Sequence, residues 1–282
     1  MDLANPWQTY LRRWLAPYLY GQAHTRAFFT VAGLAWQEFR YSFSQFFTWR
    51  SPVFSLARSI QYALLAWLRL GLGRNLRFSY GYTGEDRLIE SLLNLPVYYQ
   101  GFYVEVGCNR PRFISNTFLL YRRGWRGICI DANPKLIRYF SYIRPRDQTV
   151  AALVGTPSER LSFYHFENDV LSTVSPENIA QYAAQGLHPT TVETLAVRSL
   201  TDILDEAKAP TLFELLCIDA EEHDEAVLRS LDFSRYRPRL IVVEAEDFDP
   251  ENPQKHPIFV FLQPLGYQLA GSLLKNLYFI HT

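Results

Sequence analysis

The chain has 282 residues, 48% hydrophobic and 20% charged, with a formal net charge of zero. That is enough apolar material for one α/β domain of ordinary size plus a smaller part, and it excludes wholesale disorder. Neutrality hides an asymmetry. Residues 1–80 hold nine arginines, no lysine, and only Asp2 and Glu38 as acids, so the two ends of the chain meet different surroundings.

The front is also crowded with aromatics, including Trp7, Trp14, Trp36, Trp49 and Trp67. Residues 7–20, 24–50 and 53–72 read as helices, punctuated by Pro6 and Pro52 and closed by Gly71 and Gly73. In the third, Val53, Leu56, Ile60, Leu64, Trp67 and Leu68 recur at helical spacing. The apolar run from Ile60 to Gly73 is interrupted by Arg69 and is shorter than the ~20 residues a spanning helix needs. No transmembrane helix is expected, and the start shows no signal-peptide pattern. Two readings fit this region: packing on the following domain or in a homo-oligomer, and peripheral membrane contact through arginines and aromatics. The arginines are dispersed among aromatics, so nucleic-acid binding is not expected. Gly81, Thr83 and Gly84 mark a loop. The boundary is placed there, between a helical region over 1–84 and an α/β domain over 85–282.

From residue 85 strands and helices alternate. Apolar runs at Phe102–Val106, Gly127–Asp131, Thr149–Val154, Leu215–Asp219 and Leu240–Glu244 read as strands. Helices are expected around Ser115–Arg123, Lys135–Ile143, Ser199–Ala207 and Asp224–Leu231. Leu161–Phe166 reads as an extra strand, and Tyr267–Ala270 with Leu277–His281 as a final antiparallel pair. Continuous apolar strands separated by helices mean a mostly parallel sheet covered on both faces. Cys108, Cys129 and Cys217 each lie on or beside such a run. An odd count without close pairing argues for buried thiols in a reducing cytoplasm rather than a disulfide framework or a zinc site.

Ligands of a doubly wound sheet sit at the carboxyl ends of its strands. In Val104-Glu105-Val106-Gly107-Cys108-Asn109 a strand runs into a glycine, which lets backbone approach a ligand closely. In Gly127-Ile128-Cys129-Ile130-Asp131 an acid ends the next strand, suited to ribose hydroxyls and close to the ~20 residues expected after the glycine. The nicotinamide fingerprint is incomplete, because Arg110-Pro111-Arg112 stands where later glycines belong. That disfavours a dehydrogenase. Asp219-Ala220-Glu221-Glu222-His223-Asp224 follows a third strand and Glu244 ends a fourth. These acids either line a site or form a solvated helix start.

These segments, with Ser115-Asn116-Thr117, Arg123-Gly124-Trp125-Arg126-Gly127, Arg237-Pro238 and Val242-Val243-Glu244, resemble FkbM-family methyltransferases over roughly residues 85–280. The resemblance implies a Rossmann-like class I methyltransferase fold, with a mostly parallel seven-stranded sheet and helices on both faces. It implies S-adenosylmethionine as cofactor. Glu105, Gly107 and Asn109 match the motif for its methionine end, Asp131 the ribose-binding acid, and Ala132 and Ala152 the adenine surroundings. Asp219 and Glu221 match the acids that face the methyl group and acceptor. Glu222 stands where the family commonly has glycine. The implied activity is O-methylation of a hydroxyl on a glycan, glycolipid or secondary metabolite. A scaffold with a lapsed site is the competing reading.

His223, near Asp219, is the candidate base that would take the hydroxyl proton; its alternative role is a helix first turn. His165 is a weaker candidate. Asp219 and Glu244 could supply oxygens to magnesium, but Ala245 stands where a further acid is wanted, so a divalent metal is the less favoured alternative. Arg110 and Arg112 are either anion-recognising or ordinary surface residues. Residues 166–198 are expected to shape the acceptor pocket.

Overall fold

A computed structural model describes residues 79–96, 98–157 and 160–281, with the isolated positions Ile60 and Leu64. The helices expected over 7–20, 24–50 and 53–72, and the boundary near residue 84, fall on or border residues outside this set. The chain divides into two compact units. The second, residues 79–121 and 125–282, carries the sheet and the site.

Seven strands form the main sheet: β1 (Phe102–Val106), β2 (Arg126–Asp131), β3 (Gln148–Ala151), β7 (Leu212–Ile218), β8 (Arg237–Glu244), β9 (Tyr267–Leu273) and β10 (Asn276–His281). Their order is β3-β2-β1-β7-β8-β10-β9. The pairs from β3 to β8 are parallel, and β10 runs antiparallel to both β8 and β9. This is the mostly parallel seven-stranded sheet expected from the sequence.

The apolar strands explain why the sheet is covered twice. Val104, Val106, Ile128, Ile130, Leu216, Ile218, Ile241 and Val243 join one buried cluster. That cluster includes Leu200, Ile203 and Leu204 of α5 (Leu200–Glu206), Val227 and Leu228 of α6 (Asp224–Arg229), and Ile258 and Leu262 of α7 (Pro257–Leu262). Alternation sends Tyr103, Cys129, Cys217 and Tyr278 to the other face, where they are equally buried. There α1 (Glu85–Leu93) packs on β8, and α3 (Pro134–Ile143) on β2 and β3. The short α2 (Phe118–Arg122) leads from the loop after β1 towards β2. All three cysteines are free and buried.

The expected strand Thr149–Val154 divides in two. At its start β3 pairs with β2, up to Ala151 opposite Asp131. The Ala152 amide still donates to the Asp131 carbonyl (3.0 Å). The chain then leaves the main sheet as β4 (Leu153–Val154), which pairs with β6 (Thr191–Arg198). With β5 (Arg160–His165) these make a second sheet, order β4-β6-β5. The sequence reading found β5 but not β6, because most of β6 is exposed and lacks apolar alternation. It also passed over α4 (Pro176–Ala184), which starts at a Ser175 cap with proline in its first turn. Among the described residues no helix is long and apolar enough to cross a membrane.

Candidate active site

Strand order reverses between β1 and β7: the chain builds outward from β1 through β2 and β3, then returns to β1's other side. Loops leaving two such neighbours diverge, and the gap between them opens at the strands' carboxyl ends. A cavity lies there. Gly107 and Asn109 line it from β1, Asp131 to Asn133 from β2, Ala152 to Val154 from the β3–β4 break, and Asp219 to Glu221 from β7. Phe163 contributes from β5, and Asp169 and Ser172 from the turn after it.

Gly107 fixes how closely the two loops approach. Its φ is +75°, and a Cβ there would lie 1.6 Å from the Asp219 carbonyl oxygen. The Gly107 and Cys108 amides both donate to the Ile130 carbonyl (2.9 and 3.1 Å), and the Asp219 amide to the Val106 carbonyl (3.0 Å). Three strand ends are thereby tied at one point.

Asp131 joins two loops. Its Oδ2 accepts from the Asn109 amide (2.9 Å) and its Oδ1 from the Asn133 amide (2.8 Å). Burial pushes its pKa up to about 6 despite these bonds. Each oxygen keeps a further lone pair. Asn133 also caps α3, accepting from the Lys135 amide (3.0 Å).

The β7 end is crowded with acids. Burial, then the charge of Asp219, raises Glu221 to about 8. Burial raises Asp224 to about 7, although its carboxylate accepts from the Ala220 amide (3.0 Å). Surrounding protein strips water from the facing pair Asp219 and Glu244, so both are pushed well above the usual carboxylate range. The nearby cation is Lys275, 3.9 Å from Glu244 and paired with Glu246. Glu221 and Glu222 adopt φ of +51° and +71°, a conformation that costs a residue with a Cβ about 1–2 kcal/mol. The Thr173 hydroxyl donates to the Glu221 carbonyl (3.1 Å) and helps hold this turn.

The profile of the methyltransferase FkbM domain matches residues 105–269, more than half of the chain. The chain belongs to the FkbM methyltransferase family. No curated protein matches it by sequence. Among solved structures, it is similar to a TehB-like SAM-dependent methyltransferase from Corynebacterium glutamicum (15% identity, 80% of this chain and 99% of that one, TM-score 0.37). It is also similar to methyltransferase FkbM from Methylobacillus flagellatus (14% identity, 98% and 61%, TM-score 0.40) and to a precorrin-6y C5,15-methyltransferase from Geobacter metallireducens (13% identity, 72% and 90%, TM-score 0.36). At such scores the likeness is loose, and the fold assignment rests on the strand order itself.

Of the residues expected to form an FkbM cofactor site, Gly107, Asn109, Asp131, Ala132, Ala152, Asp219 and Glu221 all line the cavity, as does His223. A Cβ on Gly155 would meet the His223 Nε2 at 2.5 Å, so the imidazole sits against the chain leaving β4. His165 lies apart from the cavity lining, 3.6 Å from Glu193. Glu222 takes the left-handed conformation that the family's glycine would allow, so the loop has that shape with a glutamate in it. Among the described residues no group of three His, Cys, Asp or Glu is arranged to hold a metal ion.

Glu105 does not line the cavity. It is flanked by Val104 and Val106, which point into the apolar cluster, so its own side chain takes the opposite face. There Thr117 donates to its Oε2 (2.7 Å), and the Arg144 Nη1 lies 3.4 Å from the same oxygen. Arg144 is fully buried. It also pairs with Asp147 (2.7 Å) and donates to Thr117 (2.7 Å), Tyr103 (3.0 Å) and Ser115 (3.3 Å). Its guanidinium lies 5.1–5.4 Å from the rings of Phe140, Tyr103 and Tyr121. The sequence reading missed Arg144. The available signal was an arginine at the end of an amphipathic helix with an acid three residues on.

Proposed function

We propose that the chain is an S-adenosylmethionine-dependent O-methyltransferase acting on a hydroxyl of a glycan, glycolipid or secondary metabolite. The observation that carries the reading is the Gly107 cradle: side-chain-free backbone abutting the Asp219 carbonyl, between acid-bearing strand ends, in a chain of this family.

The residues present fit such a cofactor. Gly107 lets the β1 and β7 loops meet beneath the cavity, where any Cβ would collide with the Asp219 carbonyl. Asp131 retains acceptor capacity for the ribose hydroxyls. Ala132, Ala152 and Leu153 offer small and apolar contacts beside it for a base. In this reading Asn109 meets the methionine end, and Asp219 and Glu221, which also line the cavity, face the methyl group and the acceptor. When bound, the cofactor supplies an electrophilic methyl group on a sulfonium. The protein's part is then chiefly alignment of the acceptor oxygen. His223 takes the hydroxyl proton, a role that commonly adds roughly 10²–10⁴ in rate. Asp169 and Ser172, on the turn after β5, are further polar residues that adjoin the cavity, Asp169 beside Asn133 (3.5 Å).

Isothermal titration with S-adenosylmethionine, followed by an S-adenosylhomocysteine-release assay on extracts, tests this. Binding with turnover supports it, and loss of about 10²-fold in kcat on His223→Gln with unchanged cofactor affinity supports the assigned base. Binding without turnover on any extract would favour a scaffold. No binding at all ends the cofactor reading.

A further inference from the structure

The loop between β1 and α2 is bent at three left-handed positions. Gly107 has φ +75°, Asn109 +40° and Ile114 +54°. For a β-branched residue such as Ile114 that value is a strained outlier. Strain of this kind persists only where the surroundings over-determine the backbone. Gly107, Asn109 and Ile114 all line the cavity, so the strained backbone is the cavity wall.

What holds the wall is found at its two ends. Glu105 lies two residues before Gly107, and Ser115 and Thr117 follow Ile114. The Arg144 guanidinium reaches both ends at once. Its Nη1 lies 3.4 Å from Glu105 and 3.3 Å from Ser115, and its Nη2 donates to Thr117 at 2.7 Å. Thr117 in turn donates to Glu105 (2.7 Å), and Ser115 accepts from the Phe118 amide (3.1 Å) at the start of α2. The guanidinium is itself fixed through its Nε by Asp147, which also accepts from the Gly127 amide (2.9 Å) at the head of β2. A planar fork suits this task, because one rigid group presents donors in several directions.

We propose that Arg144 is a positioning residue for the cofactor: it clamps the two ends of loop 106–117 and so holds Gly107 and Asn109 in their binding conformation. Arg144 touches neither cavity nor ligand; it acts through Glu105, Ser115 and Thr117. The assignment of a cofactor to this cavity rests on the function proposed above, whereas the clamp itself rests on the contacts alone.

The test uses the full chain with Arg144→Lys, the milder Thr117→Val, and Leu262→Ala as a control. Leu262 is buried in α7 and does not line the cavity. Each variant is measured for melting temperature, for S-adenosylmethionine affinity by titration, and for amide hydrogen exchange over residues 107–117. Lysine keeps the charge opposite Asp147 but cannot fork. Arg144→Lys is expected to weaken cofactor binding about tenfold or more, and Thr117→Val about threefold. Exchange at Cys108 and Asn109 should quicken in both. Leu262→Ala should lose a comparable melting temperature with less than about a twofold change in affinity, since cavity formation in a core acts on global stability. Affinity and loop exchange in Arg144→Lys that match the control would overturn the proposal. A wild-type protein that binds no cofactor, while Arg144→Lys still loosens 107–117, would remove the cofactor reading and leave the clamp standing.

Discussion

Two groups of desolvated charges lie close to the same loop and are built in opposite ways. Around Arg144 a guanidinium meets Glu105, Asp147, the Tyr103, Ser115 and Thr117 hydroxyls and three aromatic faces. Around Asp219 the acids Glu221, Asp224 and Glu244 raise one another, and Lys275 stands at the edge. Matched charge in a dry interior behaves as structure, since each partner satisfies the other. Unmatched acids instead keep their protons towards neutral pH. Asp219 and Glu221 line the cavity, so their charge depends on what enters it. The difference separates residues that shape the site from residues that respond to its contents.

Gly107 is the seam between the two groups, so Gly107→Ala should have the largest effect. The added methyl must displace the Asp219 carbonyl, and the left-handed backbone adds strain. A destabilisation of about 3 kcal/mol or more is expected, with cofactor binding lost, measured by denaturant titration and calorimetry. Asp147→Ala comes next. It leaves the buried Arg144 charge without its closest charged partner and should cost about 3 kcal/mol, without the direct collision at the cavity that Gly107→Ala adds. A loss below about 1 kcal/mol would show that the Arg144 group is not the matched structure described.

The acid group is tested by pH. Asp131, Glu221 and Asp224 have folded pKa values above their ordinary ones, so the folded state binds more protons than the unfolded one. Their contribution is full below the ordinary carboxylate range and is lost as pH rises through about 6 to 8. Glu221→Gln removes one such group. Its melting temperature should match wild type near pH 4.5 and exceed it by a few degrees near pH 8.5, read by thermal scans across that range. A pH-independent difference would break the contrast. The smallest effect is expected for Glu222→Gly. Relief of a left-handed glutamate, offset by the glycine's greater chain entropy, should stabilise by about 0.5–1 kcal/mol.

The sheet was legible because its strands are continuously apolar and end on acids or glycine. Asp131, Asp219 and Glu221 could be named from that pattern, since a residue just past a parallel strand's carboxyl end must face the crevice. Glu105 shows the limit. It lies inside the strand, where alternation decides its face, and the two flanking valines already claim the apolar side. Read by strand parity, it belongs with Tyr103 and Cys129, away from the cavity. Arg144 was hidden for another reason. Apart from Asp147, its hydrogen-bond partners come from β1 and the loop after it, and no local spacing records that meeting. β6 escaped notice because a mostly exposed strand carries little hydrophobic signal.

The break at Ala152 has a consequence for how the molecule can vary. The chain departs from the main sheet at Leu153 and rejoins it at β7, and the two feet of this excursion pair with each other through Leu153–Val197 and Val154–Arg198. The segment between them is held by this short ladder and by a few contacts to the main sheet's loops, such as Thr173 to the Glu221 carbonyl (3.1 Å) and Asn133 to Asp169 (3.5 Å). Because those feet stand side by side, a segment of other length fits between residues 155 and 196 without changing the main strand order, and under the proposed function this stretch, which brings Phe163, Asp169 and Ser172 to the cavity, is where acceptor preference would diverge.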